Sequence, residues 1–200
     1  MPPVVILASA SPRRTELLAR IGIRHTVDPA HVDESVAPGE TALAYVRRLA
    51  IAKAEAVAAR HPDAAVIAAD TTVIVDGDIL GKPVDAADAR AMLARLAGRS
   101  HVVATAVAVA RGGRVVAAVD EAAVHMRDAG ADAIAAYVAT GEPLDKAGAY
   151  GIQGFGGVLV DGIDGDYHAV MGLGLATTVR LLAEVGLVYR FAEGAKNDAR

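Results

Sequence analysis

The stretch ILASASPRRTELL, residues 6–18, decides the class of fold. It runs from an apolar segment through a loop of small residues into a helix that opens on two arginines. Residues 4–8 (VVILA) are short, apolar and rich in β-branched side chains, the pattern of a buried strand. Ser11 and Pro12 suit the N-cap and first position of a helix. Leu17, Leu18 and Ile21 then make one face, and Gly22 stops it. A buried strand feeding a helix is the unit from which α/β sheets are assembled. The helix dipole favours anions at its N-terminus, so Arg13 and Arg14 oppose it. Free helix N–H groups behind Ala8-Ser9-Ala10, with two planar guanidinium forks, suit a bound anion. A solvated surface pair is the other reading of the same two arginines.

Outward from this stretch, strand and helix patterns interleave. A polar segment carrying Pro29, Pro38 and Gly39 precedes a predicted helix over 41–60, with Leu43, Val46, Leu49 and Ala50 on one stripe. Residues 65–69 read as a second buried strand, ending at Asp70, and 71–80 alternate around Asp76-Gly77, a type I′ hairpin signal. Asp85 caps a helix to residue 97, with Gly98 just beyond it. Strands follow over 101–110 and 114–125, joined by Gly112-Gly113, and then a helix over 132–140. The 141–174 segment is rich in glycine, and a last helix is predicted over 176–185. This order predicts an α/β protein with a mixed, twisted sheet and flanking helices. No internal repeat or linker divides it, so residues 1–190 read as a single domain and 191–200 as a polar tail.

Composition narrows the functional classes. Hydrophobic residues make up 54% of the 200 and charged residues 22%, a globular balance. The net charge of -4 gives no basic footprint for nucleic acid. With no cysteine, disulfides, thiolate zinc sites and cysteine nucleophiles are excluded. The N-terminus lacks the basic-then-apolar order of a secretory signal, and uncharged runs such as 147–160 fall short of a membrane span. A cytoplasmic protein, bound to neither nucleic acid nor membrane, is the expectation.

Three stretches carry groups suited to chemistry. The first is the arginine pair, which has no G-x-x-x-x-G-K-[ST] context and so is no P-loop. The second is AADTTVIVDGDILGKP, residues 68–83. Asp70, at the expected strand end, can hold a divalent cation or take a proton from water, or be a plain turn residue. Lys82, between Gly81 and Pro83, can aim an ammonium at a phosphate. The third is GEPLDKAGAYGIQGFGG, residues 141–157, where glycines permit close backbone approach and Gln153 offers an amide suited to a nucleobase edge. A plain flexible loop is the competing reading there. Asp145-Lys146 suits an ion pair fixing that segment. On residue type alone, Glu34 and Lys53 read as solvated surface groups, and the six histidines show no metal-ligand spacing. No G-x-S-x-G elbow is present.

Taken together, LASASPRR, AADTTVIVDGDILGKP and EPLDKAGAYGIQGFGG…IDGDYHAVMGL resemble the Maf family of nucleotide pyrophosphatases over nearly the whole chain. The resemblance implies two lobes around a central cleft, hydrolysis of a nucleoside triphosphate to monophosphate and pyrophosphate, a divalent cation (Mg2+ or Mn2+), and a homodimer. Carried across by position, Asp70 is the acid/base residue that activates water. Ser9, Arg13, Arg14 and Lys82 hold the triphosphate, Glu34 and Lys53 line the same cleft, and Glu34 and Asp70 contact the metal. Arg13, Thr71 and Gln153 resemble the branch acting on dTTP and UTP, whose substrates can include modified pyrimidine nucleotides. A nucleotide-sensing regulator of cell division that does not cleave is the rival from another class. One position departs from the family: Gly174 stands where proline is expected, which predicts a looser start to the last helix.

Overall fold

The computed structural model describes residues 4–191. Seven strands form one mixed sheet: β1 (Val5–Leu7), β2 (Thr26–Val27), β3 (Ala65–Val75), β4 (Asp78–Leu80), β5 (Ser100–Arg111), β6 (Arg114–Met126) and β7 (Val160–Asp164). Their order is β2-β1-β3-β5-β6-β7, with β4 also on β3. Pairing with β1 is parallel and all other pairing is antiparallel. The helices are α1 (Pro12–Arg20), α2 (Ala42–Ala58), α3 (Ala86–Leu96), α4 (Ala131–Ala139), α5 (Tyr167–Met171) and α6 (Leu175–Glu184). The mixed α/β class expected from the sequence is the one observed. Of the polar tail expected over 191–200, only Phe191 lies within the described residues.

Local chemistry accounts for the punctuation. Asp76 and Gly77 both hold positive φ, 54° and 84°, as a type I′ hairpin requires. Gly112 and Gly113 do the same between β5 and β6, at 57° and 77°. Asp85 Oδ1 accepts from the N–H groups of Ala87 and Asp88 at 2.8 Å each, capping α3. Thr41 caps α2 by accepting from the Ala44 N–H. Ser11 holds the N-cap position of α1 but offers its helix no side-chain bond, so that terminus keeps free donors.

One expectation is corrected by the pairing. The strand beginning at Ala65 does not end at Asp70 but continues to Val75, with Asp70 opposite Ala106 of β5. Long-range pairing prevails over the polar residue. On its other edge β3 is paired twice, with β1 along Ala65 to Ile67 and with β4 along Val73 to Val75. Both neighbours are short, so residues 68–72 have no strand beside them on that edge. The gap between two truncated strands is what opens a cleft in an otherwise continuous sheet.

Period-two alternation then separates the side chains of β3. Val66 and Ala68 pack beneath α2 with Val46, Ala50, Ala54 and Val57. Ile67 and Ala69 face the opposite way, onto Leu17 and Leu18 of α1 and Leu181 and Leu182 of α6. A third core, around Val73, Leu93, Leu96, Ile134, Tyr137 and Tyr150, surrounds the far end of the strand. Asp70 therefore points toward α2 while Thr71 points toward α1, on either side of the open edge.

Gly174, read as a weak helix start, is explained by its neighbours. Its φ of -65° is one that proline also adopts. A Cβ there, however, would lie 2.1 Å from Oδ2 of Asp120. Asp120 Oδ1 accepts from Thr177 Oγ1 at 2.7 Å, so the carboxylate fastens the first turn of α6 to β6. The bond from β6 does what the ring would do. Gly174→Pro is accordingly expected to destabilise the protein by about 1–3 kcal/mol through overpacking. In an Asp120→Ala background the same change should be neutral or stabilising. Chemical denaturation of the four proteins checks both signs.

Candidate active site

The cleft at the open edge of β3 has a volume of about 620 Å³. It gathers Ser9, Arg13, Arg14, Glu34, Lys53, Asp70, Thr71, Lys82 and Gln153, from segments spread over most of the chain. Asp70 lies at its floor, 9% exposed. Lys53, on the buried face of α2 and also 9% exposed, reaches across with its ammonium. Its Nζ is 2.7 Å from Asp70 Oδ1 and 2.6 Å from Glu34 Oε1. One buried cation thus draws two carboxylates together. Burial pushes the Asp70 carboxyl above its ordinary value, against the opposing pull of Lys53.

Glu34 belongs to the irregular segment before α2 and is held there through its backbone. Tyr45 OH donates to the Glu34 carbonyl at 3.0 Å, and Arg48 donates to the Ser35 carbonyl at 2.9 Å. Arg48 is itself fixed by Glu40, with Nε to Oε1 at 2.6 Å. That charged bond, with the Ala37 N–H, holds the Glu40 carboxyl down at about 2. The 58% exposed Glu34 side chain therefore stands on an anchored segment.

The two arginines take unlike roles. Arg14 donates from Nε to the Gly172 carbonyl at 2.8 Å, from one terminal nitrogen to Ser9 Oγ at 3.0 Å, and from the other to Thr71 Oγ1 at 3.2 Å. Three of its five N–H groups are committed and two remain. Thr71 Oγ1 in turn lies 2.9 Å from Thr105 Oγ1, which donates to the Ala169 carbonyl at 2.7 Å. Burial lowers the Arg14 guanidinium, with the Asp70 charge opposing, and it keeps its proton all the same. Among the described residues Arg13 pairs with Asp145 alone, at 3.6 Å, leaving its fork open to the cleft. Lys82 is exposed just past β4, and Gly148 N donates to the neighbouring Gly81 carbonyl at 3.0 Å, tying that turn to the glycine-rich segment.

Several groups that organise the cleft carry no signal in isolation. Tyr150 OH lies 2.8 Å from His101 Nε2 in a buried pair, and burial lowers His101 to about 4. Tyr45, Tyr137 and Glu142 act on backbone groups distant in sequence, which no residue pattern announces. The expected Asp145–Lys146 pair is present at 2.5 Å. A second constellation, Ser100 Oγ to His125 Nδ1 at 2.7 Å and His125 Nε2 to Asp164 Oδ2 at 2.9 Å, lies outside the cleft and laces β5, β6 and β7 together.

Fold and site define an α/β protein with an open-edge cleft whose cationic walls stand over a buried, lysine-paired carboxylate. Over residues 4–185 the chain matches the family described as Maf-like protein, and it belongs to that family. It is 50% identical over 182 residues to a Symbiobacterium thermophilum protein named dTTP/UTP pyrophosphatase, covering 91% of this chain and 94% of that one. Proteins of the same name from Moorella thermoacetica and Myxococcus xanthus are 54% and 53% identical, over 92% of this chain and 95% and 93% of theirs. Among solved structures, the Staphylococcus aureus Ham1 protein is 18% identical with a TM-score of 0.47, covering 62% of this chain and 72% of that one. Among the described residues no helix is long and apolar enough to cross a membrane.

Proposed function

We propose that this protein is a nucleoside triphosphate pyrophosphatase that hydrolyses dTTP and UTP to the monophosphate and pyrophosphate. The observation that carries the reading is the convergence of Asp70, Lys53 and Glu34 at the floor of a cleft walled by Arg13, Arg14 and Lys82. Pure binding of a polyanion does not call for a buried carboxylate. Its relatives' shared name, over nine-tenths of the chain, supports the choice of substrate.

In this reading the triphosphate lies against Ser9, the two free N–H groups of Arg14, the open fork of Arg13, and Lys82. Lys53 keeps Asp70 ionised despite its burial and aims one carboxylate oxygen. Asp70 takes the proton of a water whose oxygen bonds the α-phosphorus, and the bridge to the β-phosphate breaks with its electrons leaving on pyrophosphate. Charge moving toward the leaving oxygens is met by cations already in place, which is where phosphoryl transfer gains most. Glu34 and Asp70 are the residues that would hold a divalent cation. Two converging carboxylates completed by phosphate oxygens and water are the donor set Mg2+ accepts, and among the described residues no richer cluster of ligands exists. Bound there, the ion would neutralise phosphate charge. The Gln153 amide and Arg13 select the base, with Thr71 holding the Arg14 guanidinium in place. Residues 1–190 act as one domain of two lobes about this cleft, and a cytoplasmic homodimer belongs to the same reading.

A substrate panel tests it: dTTP, UTP, modified pyrimidine triphosphates, GTP and 7-methyl-GTP, assayed for pyrophosphate with Mg2+ or Mn2+. The expected result is kcat/KM for dTTP and UTP above that for the purines by about 10²-fold, because the hydrogen-bonding groups of Gln153 and Arg13, covered by the correct base, are left unpaired by the wrong one. Binding without pyrophosphate release would make the protein a nucleotide sensor. Equal rates on GTP would remove the pyrimidine assignment.

A further inference from the structure

Gln153 stands on a segment whose backbone is held by one carboxylate. Glu142 Oε2 accepts from the Phe155 N–H at 2.8 Å, and Oε1 accepts from the Gly156 N–H at 3.0 Å and from Tyr137 OH at 2.9 Å. The Tyr137 oxygen also accepts from the Gly151 N–H at 3.1 Å. Three amides bracketing Gln153 are therefore fastened to a single carboxylate–phenol pair. Tyr137 is 6% exposed within the core around α3 and α4, so the anchor itself is rigid.

The glycines of the segment follow from this wrapping. A Cβ at Gly154 would lie 2.2 Å from Glu142 Oε2, and one at Gly156 would lie 2.5 Å from Tyr137 OH. Neither side chain can swing aside without losing its bonds. Glycine at these positions is the space in which the carboxylate and phenol sit, not slack in the chain.

Among the described residues the Gln153 side chain has no hydrogen-bond partner, so its position depends on the backbone beneath it. Gln153 and Arg13 line both the main cleft and a second cavity of about 520 Å³, whose wall includes Glu142, Lys146 and Gly151. We propose that Glu142 and Tyr137 are the positioning residues of base selection: they hold residues 151–157 so that the Gln153 amide stands beside Arg13 where the two cavities meet. They do not touch the phosphates, and their loss should alter which base is accepted before it alters the chemistry. The proposal rests on Gln153 as the base-reading group.

Glu142→Gln replaces one acceptor oxygen by a donor NH2, and so faces an N–H or O–H with another donor. Tyr137→Phe keeps the ring in its core and deletes both bonds of the hydroxyl. Each variant is expected to raise KM for dTTP about tenfold, leave kcat within about threefold, and reduce the preference for dTTP over GTP about tenfold, the pattern of lost ground-state positioning. Hydrogen exchange at the amides of 151, 155 and 156 should accelerate in both. Unchanged base preference in both variants, or kcat falling equally for every base, would overturn the proposal. If the wild-type protein cleaves no pyrimidine triphosphate, the functional reading fails separately. Exchange then still decides the clamp, and wild-type rates in the variants would refute it.

Discussion

Asp70→Asn is expected to lower kcat for UTP by about 10²–10⁴-fold, the usual loss when a positioned base is removed. The same variant should melt at the wild-type temperature or above it. Burial raises the carboxyl above the ordinary Asp value, so the ionised form is disfavoured by folding. For an acid with a raised folded pKa, the contribution to stability is greatest below the unfolded value of 3.8 and declines as pH rises through the folded one. At neutral pH the charge is thus a net cost, and the neutral amide removes it while still accepting from Lys53. Thermal melting without divalent cation and steady-state assays with it give the two numbers. A variant that lost stability and activity together would point to a structural role for Asp70.

The second large effect is expected from Lys53→Met, which strips the cation hydrogen-bonded to Asp70 and leaves that carboxylate facing Glu34. Breaking a buried pair from one side costs about 3–5 kcal/mol, because the remaining charge has no partner. The deficit should be full at pH 8 and shrink as the pH falls and Asp70 takes up a proton. Adding Asp70→Asn should recover most of it. If Lys53→Met cost as much in the Asp70→Asn background as in the wild type, the pairing would not be the reason for its cost. Denaturant titrations of the four proteins at two pH values make the comparison.

What was legible in the sequence was what local chemistry dictates. Asp76-Gly77 and Gly112-Gly113 demand positive φ at adjacent positions, and Asp85 caps whatever helix follows it. These signals need no partner elsewhere in the chain. The course of β3 was not legible, because a strand continues through Asp70 only if β5 lies alongside it, a pairing set 36 residues away at Ala106. β7 and α5 are hidden within a glycine-rich segment, since β7 becomes a strand only by pairing with β6, where Val124 lies opposite Ile163. Lys53 read as a surface group because nothing nearby reveals two carboxylates, 17 and 19 residues distant, converging on it. Glu142 was invisible for a different reason. Its partners are mostly backbone N–H groups, which every residue but proline carries. What surrounds Gly174 is equally hidden, because the residue that shapes its site, Asp120, lies on another element.

The central claim is that water, activated at Asp70, attacks the α-phosphorus of a pyrimidine triphosphate. Turnover of UTP in water enriched with ¹⁸O, with the products resolved by mass spectrometry, tests this directly. The account predicts one ¹⁸O atom in UMP, none in pyrophosphate, and labelled UMP formed by Asp70→Asn about 10²–10⁴-fold more slowly. Label in pyrophosphate, release of orthophosphate with UDP, or labelled UMP formed at the wild-type rate by Asp70→Asn would contradict it.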